Sequence, residues 1–502
     1  MTGFGVTATV SSDALAPTSP SAVRVADLVE SLPIREVRGD LGVPVSDVSY
    51  RSDDVSPGSL FFCVPGTKLD GHDFAETALR SGATALVVER FLPFEVPQVR
   101  VSSVRRAMGP VAAAFFGRPA EGMTMVGVTG TNGKTTTTYL LESIFVAAGL
   151  APGLIGTTGA RIRGRQVPFD RTTPEAPDLH RLLARMRDDG VRAVAMEVSS
   201  HGLDQHRVGG VRYSLAVFTN LTQDHLDYHG SMEEYFAAKA RLFTPEQAAA
   251  AVVNADSTEA QPLLSSGLPT TTYGVDAEAD VRATDVRSTA DGVEFLVDGL
   301  EVRSSLRGRF NVWNCLAAFA SARALGIDDG TVVEGIGGLG GVPGRVEPVD
   351  EGQGFLVLVD YAHTPDGVEN VLAGARPFAE ARLIVVLGCG GDRDRRKRPL
   401  MGRAATSLAD LTVITSDNPR SEDPLAIIGD VEPGAKEGGG NYVVEADRRA
   451  AIRVALRAAG TGDVVIIAGK GHETGQEFAD RTIPFDDRTV AAEELRAIRG
   501  DP

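Results

Sequence analysis

The sequence predicts an α/β protein of three domains, with a central P-loop parallel-sheet ATPase domain and a C-terminal Rossmann-like domain. Three observations carry this. One is the segment Val126-Gly-Val-Thr-Gly130-Thr-Asn-Gly-Lys134-Thr135-Thr136, in which apolar β-formers run into a glycine-rich turn and then an amphipathic helix (Tyr139, Leu140, Leu141, Ile144, Phe145). Another is the alternation of buried-type strands with helices, the pattern of a largely parallel sheet. The third is the length, 502 residues, enough for about three domains.

Taken in order, residues 1–20 are rich in Ser, Thr, Ala and Pro, lack a secretory pattern, and read as a flexible tail. Residues 21–120 form the first expected domain, with GSLFFCVPG (58–66) as strand and turn, HDFAETALRSG (72–82) as helix, ATALVVER (83–90) as strand and 104–117 as helix. GRPAEGM (117–123) reads as a linker. The second domain, 121–342, starts at the phosphate loop and has strands at 191–198, 214–220 and 250–254. Its segment 255–305 alternates polar and apolar residues and is expected to add a small sheet. GIGGLGGVPGR (335–345) reads as a hinge, and the third domain, 343–502, has strands at 356–362, 382–390, 411–417, 441–447 and 463–471.

Composition narrows the function. A formal charge of −17 argues against broad binding to nucleic acid or anionic membrane. The three cysteines, Cys63, Cys315 and Cys389, are far apart and form no CxxC pair, so a reducing, cytoplasmic setting is expected. No apolar run is long enough to span a bilayer.

Ligands of open α/β sheets bind beyond the carboxyl ends of strands, and nearly every unusual motif here falls at such an end, which points to an enzyme rather than a scaffold. In the phosphate loop, backbone N–H groups and the helix N-terminus favour phosphate, Lys134 adds a point charge, and Thr135 can reach Mg²⁺. MEVSSHGLDQHRV (196–208) gathers Glu197, Ser199, Gln205 and Arg207, and NLTQDHLDYHG (220–230) gathers Asp224, His225, Asp227 and His229. A strand-end carboxylate beside a phosphate loop commonly holds Mg²⁺, with turn capping as the plain alternative. Lys239, in the amphipathic helix SMEEYFAAKARLF (231–243), reads by spacing as a solvated lysine. A partly buried lysine of lowered pKa would instead act as a base or react at nitrogen, and spacing leaves that open. In the third domain GCGGDRDRRKRP (388–399), SDNPRSEDP (416–424) and AGKGHE (468–473) present both charge signs, as a zwitterionic ligand such as an amino acid requires.

The ordered set GTNGKTT, TTP, MEVSSHGLxQxR, TNLTQDHLDYHG, AAKxxLF, FNxxN, PGRxE, DYAHTP, GCGGDRDxxKRP, DNPR and GKGHE, over about residues 45–490, resembles the Mur ligases of peptidoglycan synthesis, within them the diaminopimelate-adding branch. The loop's glycine at 130 rather than 128 is a departure from a strict Walker A pattern that this family shares. The resemblance implies an ATP-dependent amide ligase that adds 2,6-diaminopimelate, expected as the meso isomer, to the D-glutamate γ-carboxylate of UDP-MurNAc-L-Ala-D-Glu through an acyl phosphate. The charges of the meso and LL isomers are the same, and the sequence does not separate them. It further implies ATP on Gly130, Thr131, Asn132, Gly133, Lys134, Thr135, Thr136, Asn311, Arg345, Asp360 and His363, with Tyr361 a further residue on the ATP side. Mg²⁺ would be held by Thr135, Glu197, His225 and a carbamylated Lys239; Lys134, Lys239, Glu197 and His225 are the implied catalytic set. Ser52, Thr172, Thr173, Ser199, Gln205 and Arg207 match the UDP-MurNAc-dipeptide site. Arg51-Ser52-Asp53 stands where the family often has Asp-Ser-Arg, so only Ser52 transfers there. Arg393, Asp417, Asn418, Pro419, Arg420, Gly469 and Glu473 match the diaminopimelate site.

The alternatives are a lysine-adding relative, which the arginine of DNPR disfavours, a folylpolyglutamate synthetase, which would lack the UDP-substrate motifs, and a non-catalytic nucleotide-binding regulator. A monomeric chain is expected. A guanidinium at 420 pairs with the second carboxylate that diaminopimelate has and lysine lacks. Arg420→Ala is therefore expected to raise the KM for diaminopimelate by about 10- to 100-fold with little change in that for ATP, and steady-state kinetics with each substrate varied in turn check it; an unchanged KM for the amino acid refutes the role.

Overall fold

A computed structural model of the chain describes residues 23–66, 69–169 and 171–500; the expected tail, 1–20, lies outside them. Three sheets follow one another along the chain. The first has five strands, in the order Ile34–Arg38, Gln98–Val101, Ala85–Val88, Ser59–Phe62 and Asp47–Ser49, parallel except at Ile34–Arg38. The central sheet has eleven strands. Seven are parallel: Pro152–Gly156, Ala193–Glu197, Thr124–Thr129, Leu215–Phe218, Ala251–Asn254, Thr270–Gly274 and Val281–Thr289. The third has six, with Leu356–Asp360, Val464–Ala468, Leu383–Cys389, Leu411–Ser416 and Tyr442–Val444 parallel and Glu347–Pro348 antiparallel at one edge.

The strands are where continuous apolar runs stand, because a parallel sheet covered on both faces needs apolar side chains on both. Val126, Val128, Leu215 and Val217 enter one core with the helix Lys134–Ala147 and the helix Phe310–Ala324, while Met125, Met196, Ala216 and Phe218 enter another on the opposite face. The third sheet is sandwiched in the same way. Helix starts obey local chemistry: Ser103, Ser199, Ser231 and Thr364 each accept a backbone N–H of the first turn, satisfying donors the helix leaves unpaired.

Two expectations change. Segment 255–305 does not fold as a separate small sheet. Thr270–Gly274 pairs with Ala251–Asn254, and Val281–Thr289 continues from Thr270–Gly274, so the antiparallel ribbon of Gly292–Val297 and Leu300–Ser304 extends the central sheet. The polar alternation marked a half-exposed sheet end. The glycines of GIGG (335–338) end the helix Asp329–Gly338, where Gly335 packs on Ile144, so the irregular turn between sheets is only 339–345.

The three layers are joined by specific contacts. Helix Ala176–Asp188 packs Ala176 and Ala184 into the first core, and its Asp178 and Arg181 bond Tyr50 Oη (2.8 Å) and Asp47 (3.0 Å). On the other side, Arg345 donates to Thr135 Oγ1 (3.0 Å) and Asn132 Nδ2 to Asp366 (2.6 Å). Within the third layer, fully buried Arg448 pairs with fully buried Asp487 (2.8 and 2.7 Å) and donates to the carbonyls of Ser416 and Ala468, at the ends of the two strands that flank Leu383–Cys389. Arg448→Met leaves Asp487 buried without a cation and is expected to cost about 3–5 kcal/mol; urea unfolding of the third-domain transition measures it.

Candidate active site

The phosphate loop leaves the middle of the central sheet, from strand Thr124–Thr129 between Ala193–Glu197 and Leu215–Phe218. Its first glycine is required by space as well as by backbone: at Gly130 (φ +147°) a Cβ would strike Thr219 Oγ1 and lie 3.0 Å from Asn220 N. The next strand clamps the loop, as Asn132 N donates to Asn220 Oδ1 (2.9 Å) and Thr219 Oγ1 to Asn132 O (2.6 Å). Lys134 Nζ donates to Gly130 O (3.0 Å) and Thr131 O (2.8 Å).

Above the loop lies a cavity of about 420 Å³ whose walls come from both the central and third sheets. It brings together Thr131, Asn132, Gly133, Lys134, Thr135 and Thr136 with Glu197, His225 and Lys239, and with Arg345, Asp360, Tyr361 and His363. Glu197 is buried at its strand end, and both its oxygens accept from Thr157 (N 2.9 Å, Oγ1 3.0 Å). His225 has a left-handed backbone (φ 55°), and burial pushes its imidazole down to about 3. Asp224 is buried among His225 (3.3 Å), Lys397 (3.5 Å) and His363 (3.8 Å); burial alone would raise its carboxyl, but these neighbours and the His225 backbone N–H hold it well below the usual carboxylate range.

Lys239 is not the solvated lysine its spacing suggested. It is 1% exposed, its Nζ donates to Gly130 O (2.8 Å), and its ammonium lies 4.3 Å from the centre of the Tyr235 ring. Burial, and then the neighbouring Lys134, push it well below the ordinary lysine value. Helical periodicity missed this because the polar strand end that covers Lys239 is more than a hundred residues away in sequence.

Other site residues act from behind the wall. Asn311 is buried, donates to Arg307 O (2.6 Å) and accepts from Asn314, which does line the cavity. The Asp360 carboxylate is taken up by the N–H groups of Val346 and Ala362 (both 2.8 Å). Thr172 and Ser199 line the cavity, whereas Thr173 accepts from Ser199 N and donates to Glu197 O (both 3.0 Å). Arg207 turns away to Glu175 (3.0 Å), Gln205 (2.7 Å) and Thr173 O (3.1 Å). Ser52 stands apart in the first layer, between Arg51 and Asp53, which pair with each other (3.0 Å).

The amino-acid candidates meet separately, at the carboxyl ends of three strands of the third sheet. Asn418 Nδ2 donates to Glu473 (2.7 Å), and Lys470 Nζ reaches Asn418 Oδ1 (2.8 Å) and Glu473 (3.1 Å). Arg420 (φ 53°) is held by its N–H to Glu477 O (3.0 Å), while its guanidinium meets Glu477 (2.8 Å) and Gly391 O (2.8 Å). The carbonyl of Pro419 packs on Gly391, and Gly469 lies against Asp417 Oδ2. Arg393 is exposed, with Nη1 on Asp392 O (3.0 Å). The sequence reading passed over Thr157 and Asp366, the first signalled by the glycine-flanked GTTG run, and took Lys397 and Lys470 only as charges of strand-end loops without giving either a role.

For a metal, the cavity offers a hydroxyl (Thr135), a carboxylate (Glu197) and a half-buried imidazole (His225) beside a phosphate loop. Among the described residues, no three His, Cys, Asp or Glu side chains form a ready cage. That donor set fits Mg²⁺, which is usually held by one or two protein oxygens together with substrate phosphates.

Three models of one family match the chain: the Mur ligase middle domain over residues 128–322, the Mur ligase glutamate ligase domain over 344–471, and the Mur ligase family catalytic domain over 44–116. A UDP-N-acetylmuramoyl-L-alanyl-D-glutamate–2,6-diaminopimelate ligase of Geobacillus thermodenitrificans is 50% identical over 89% of this chain and 94% of its own length. One of Syntrophomonas wolfei is 44% identical over 94% and 99%. A solved structure of a ligase of that name superposes with a TM-score of 0.68 at 33% identity, over 95% of this chain and all of the other. In fold alone, the chain is similar to a Thermotoga maritima MurF ligase in complex with ADP (TM-score 0.62, 19% identity, 90% and 96% of the two chains).

Proposed function

The chain belongs to the Mur ligase family, and from that premise we propose that it is an ATP-dependent ligase joining 2,6-diaminopimelate to UDP-N-acetylmuramoyl-L-alanyl-D-glutamate in peptidoglycan precursor synthesis. The observation that carries this reading is the cavity in which the phosphate loop, Glu197, His225 and Lys239 face residues of the third sheet, the sheet whose strand ends also carry the Asn418–Arg420–Glu473 group. We assign residues 21–120 to the UDP-substrate, 121–342 to ATP and 343–502 to the amino acid, in a monomeric enzyme of the cytoplasm. Among the described residues no helix is long and apolar enough to cross a membrane.

A γ-carboxylate oxygen of the D-glutamate attacks the γ-phosphorus of ATP, and the bond to the bridging β–γ oxygen breaks, giving an acyl phosphate and ADP. The amine of diaminopimelate then adds to the acyl carbon. The tetrahedral adduct loses phosphate and the nitrogen loses its proton, leaving the amide. Lys134 and the loop N–H groups stabilise charge on the phosphates, as fixed charges and dipoles do without reorganising. Thr172 and Ser199 orient the UDP-dipeptide from the cavity wall, and Arg207 supports them from behind through Thr173 O. Arg345 and His363 close the nucleotide side, and Arg393, Asp417 and Arg420 hold the charged groups of the amino acid.

Thr135, Glu197, His225 and Lys239 as its carbamate are the residues that would hold Mg²⁺, which when bound neutralises phosphate charge. Lys239 suits that modification because burial and Lys134 favour its neutral amine. The nitrogen lone pair adds to carbon dioxide, one N–H proton leaves, and the product is an anionic oxygen donor.

Purified chain is expected to release phosphate from ATP only when both the UDP-dipeptide and diaminopimelate are present. A coupled phosphate assay that omits each substrate in turn checks this, with lysine as the competing amino acid; release that needs neither substrate overturns the reading. Lys239→Ala is expected to lower kcat by about 10²- to 10³-fold, without rescue by bicarbonate. Turnover near that of the unaltered enzyme overturns the carbamate.

A further inference from the structure

We infer that Lys470 is a positioning residue of the amino-acid pocket: its buried ammonium fixes Asn418 and Glu473 in the arrangement that receives the distal ammonium of the incoming amino acid. The inference rests on the amino-acid reading of this pocket given above.

Lys470 is fully buried, at the turn that follows strand Val464–Ala468. Its Nζ has two side-chain partners, Asn418 Oδ1 (2.8 Å) and Glu473 Oε2 (3.1 Å), and Asn418 Nδ2 closes the triangle on the same Glu473 oxygen (2.7 Å). The amide orientation of Asn418 is thereby dictated: its oxygen faces the ammonium and also accepts from Glu477 N (3.1 Å), and its nitrogen faces the carboxylate. All the hydrogen bonds to Glu473 converge on Oε2; its side chain is 29% exposed.

Charge arithmetic gives the triangle its purpose. The Asp417 carboxylate stands close enough to Glu473 to disfavour ionisation of Glu473, and among the described residues the buried Asp417 Oδ2 has no hydrogen-bond partner. Burial raises the Glu473 carboxyl and Asp417 raises it further, whereas Lys470 and the Asn418 amide lower it. The other groups that feel it are the Tyr361 phenol and the buried Arg448, already paired with Asp487. The lysine therefore holds Glu473 ready and leaves the two neighbouring carboxylates one positive charge short. An α-amino acid with a second ammonium supplies that charge.

Stability alone does not account for Lys470. A buried ion pair is generally no more stabilising than apolar side chains of the same volume, so a methionine would pack here at little cost, provided that Glu473 were neutralised too.

The test uses the full-length enzyme and the variants Lys470→Met, Glu473→Gln and the double variant. Lys470→Met is expected to raise the KM for diaminopimelate by roughly 100-fold near pH 7 with the KM for ATP unchanged. The defect should narrow as the pH rises, because Glu473 without its cation is held more strongly in its neutral form. The double variant should be within about threefold of Glu473→Gln alone, since the lysine acts through that carboxylate. If Lys470→Met does not fold, the comparison between the double variant and Glu473→Gln carries the test. Equal losses for ATP and diaminopimelate, a pH-independent defect, or losses that multiply in the double variant overturn the positioning role. Failure of the unaltered enzyme to use diaminopimelate at all would instead overturn the functional reading.

Discussion

Two lysines share one carbonyl oxygen. Lys134 and Lys239 both donate to Gly130 O, at 3.0 and 2.8 Å, from helices that enter the site from different directions. Two ammonium groups held that close cannot both keep full charge at low cost, and Lys239, the more deeply buried, is the one displaced furthest from its ordinary value. Lys134 keeps more of its charge because Glu197 and Asp224 face it. One strand end thus yields a cation suited to phosphate and an amine suited to reaction at nitrogen. Much of the surrounding structure serves to maintain that convergence: Gly130 leaves room for Thr219, Thr219 and Asn220 grip the loop, and the Tyr235 ring covers Lys239.

The same loop is where the central and third layers meet. Asp366 reaches Asn132, Arg345 reaches Thr135, and Lys397 reaches Asp224. Each contact joins a residue of the third layer to one within or beside the phosphate site, so the position of the amino-acid layer is set by groups that also face the cavity. Proximity of this kind is how a ligase brings an activated carboxylate and an amine together without exposing the activated species to water. Behind the amino-acid group, Arg448 and Asp487 tie the strand ends that carry Asp417 and Gly469.

Most strands at the centres of the three sheets were legible because each is a short apolar run ending in glycine or a polar cluster. The strands toward one edge of the central sheet were less so. Pro152–Gly156, Gly159–Ile162 and Arg165–Val167 contain glycine, proline or arginine and lack a continuous apolar signal, although they complete one side of the central sheet. Segment 255–305 showed its alternation but not its partner, since alternation reports which face is wet and not which strand lies alongside. Two site residues, His225 and Arg420, have left-handed backbones that surrounding contacts hold, and residue preference hints at that only weakly for histidine and not for arginine.

By itself the sequence determined the chemical inventory: a phosphate loop, carboxylates and histidines at strand ends, and a third-domain set of mixed charge with Arg420 at its head. It could do so because glycine loops and strand-end clusters are local, and local chemistry is written in neighbouring residues. Tertiary structure decided which of those groups share a space and in what state. It buried Lys239 against a carbonyl 109 residues earlier in the chain, placed Thr157 on both oxygens of Glu197, and left Ser52 and Arg207 outside the cavity wall. Burial and proximity are properties of packed surfaces, and they, more than residue identity, set the charge a lysine carries.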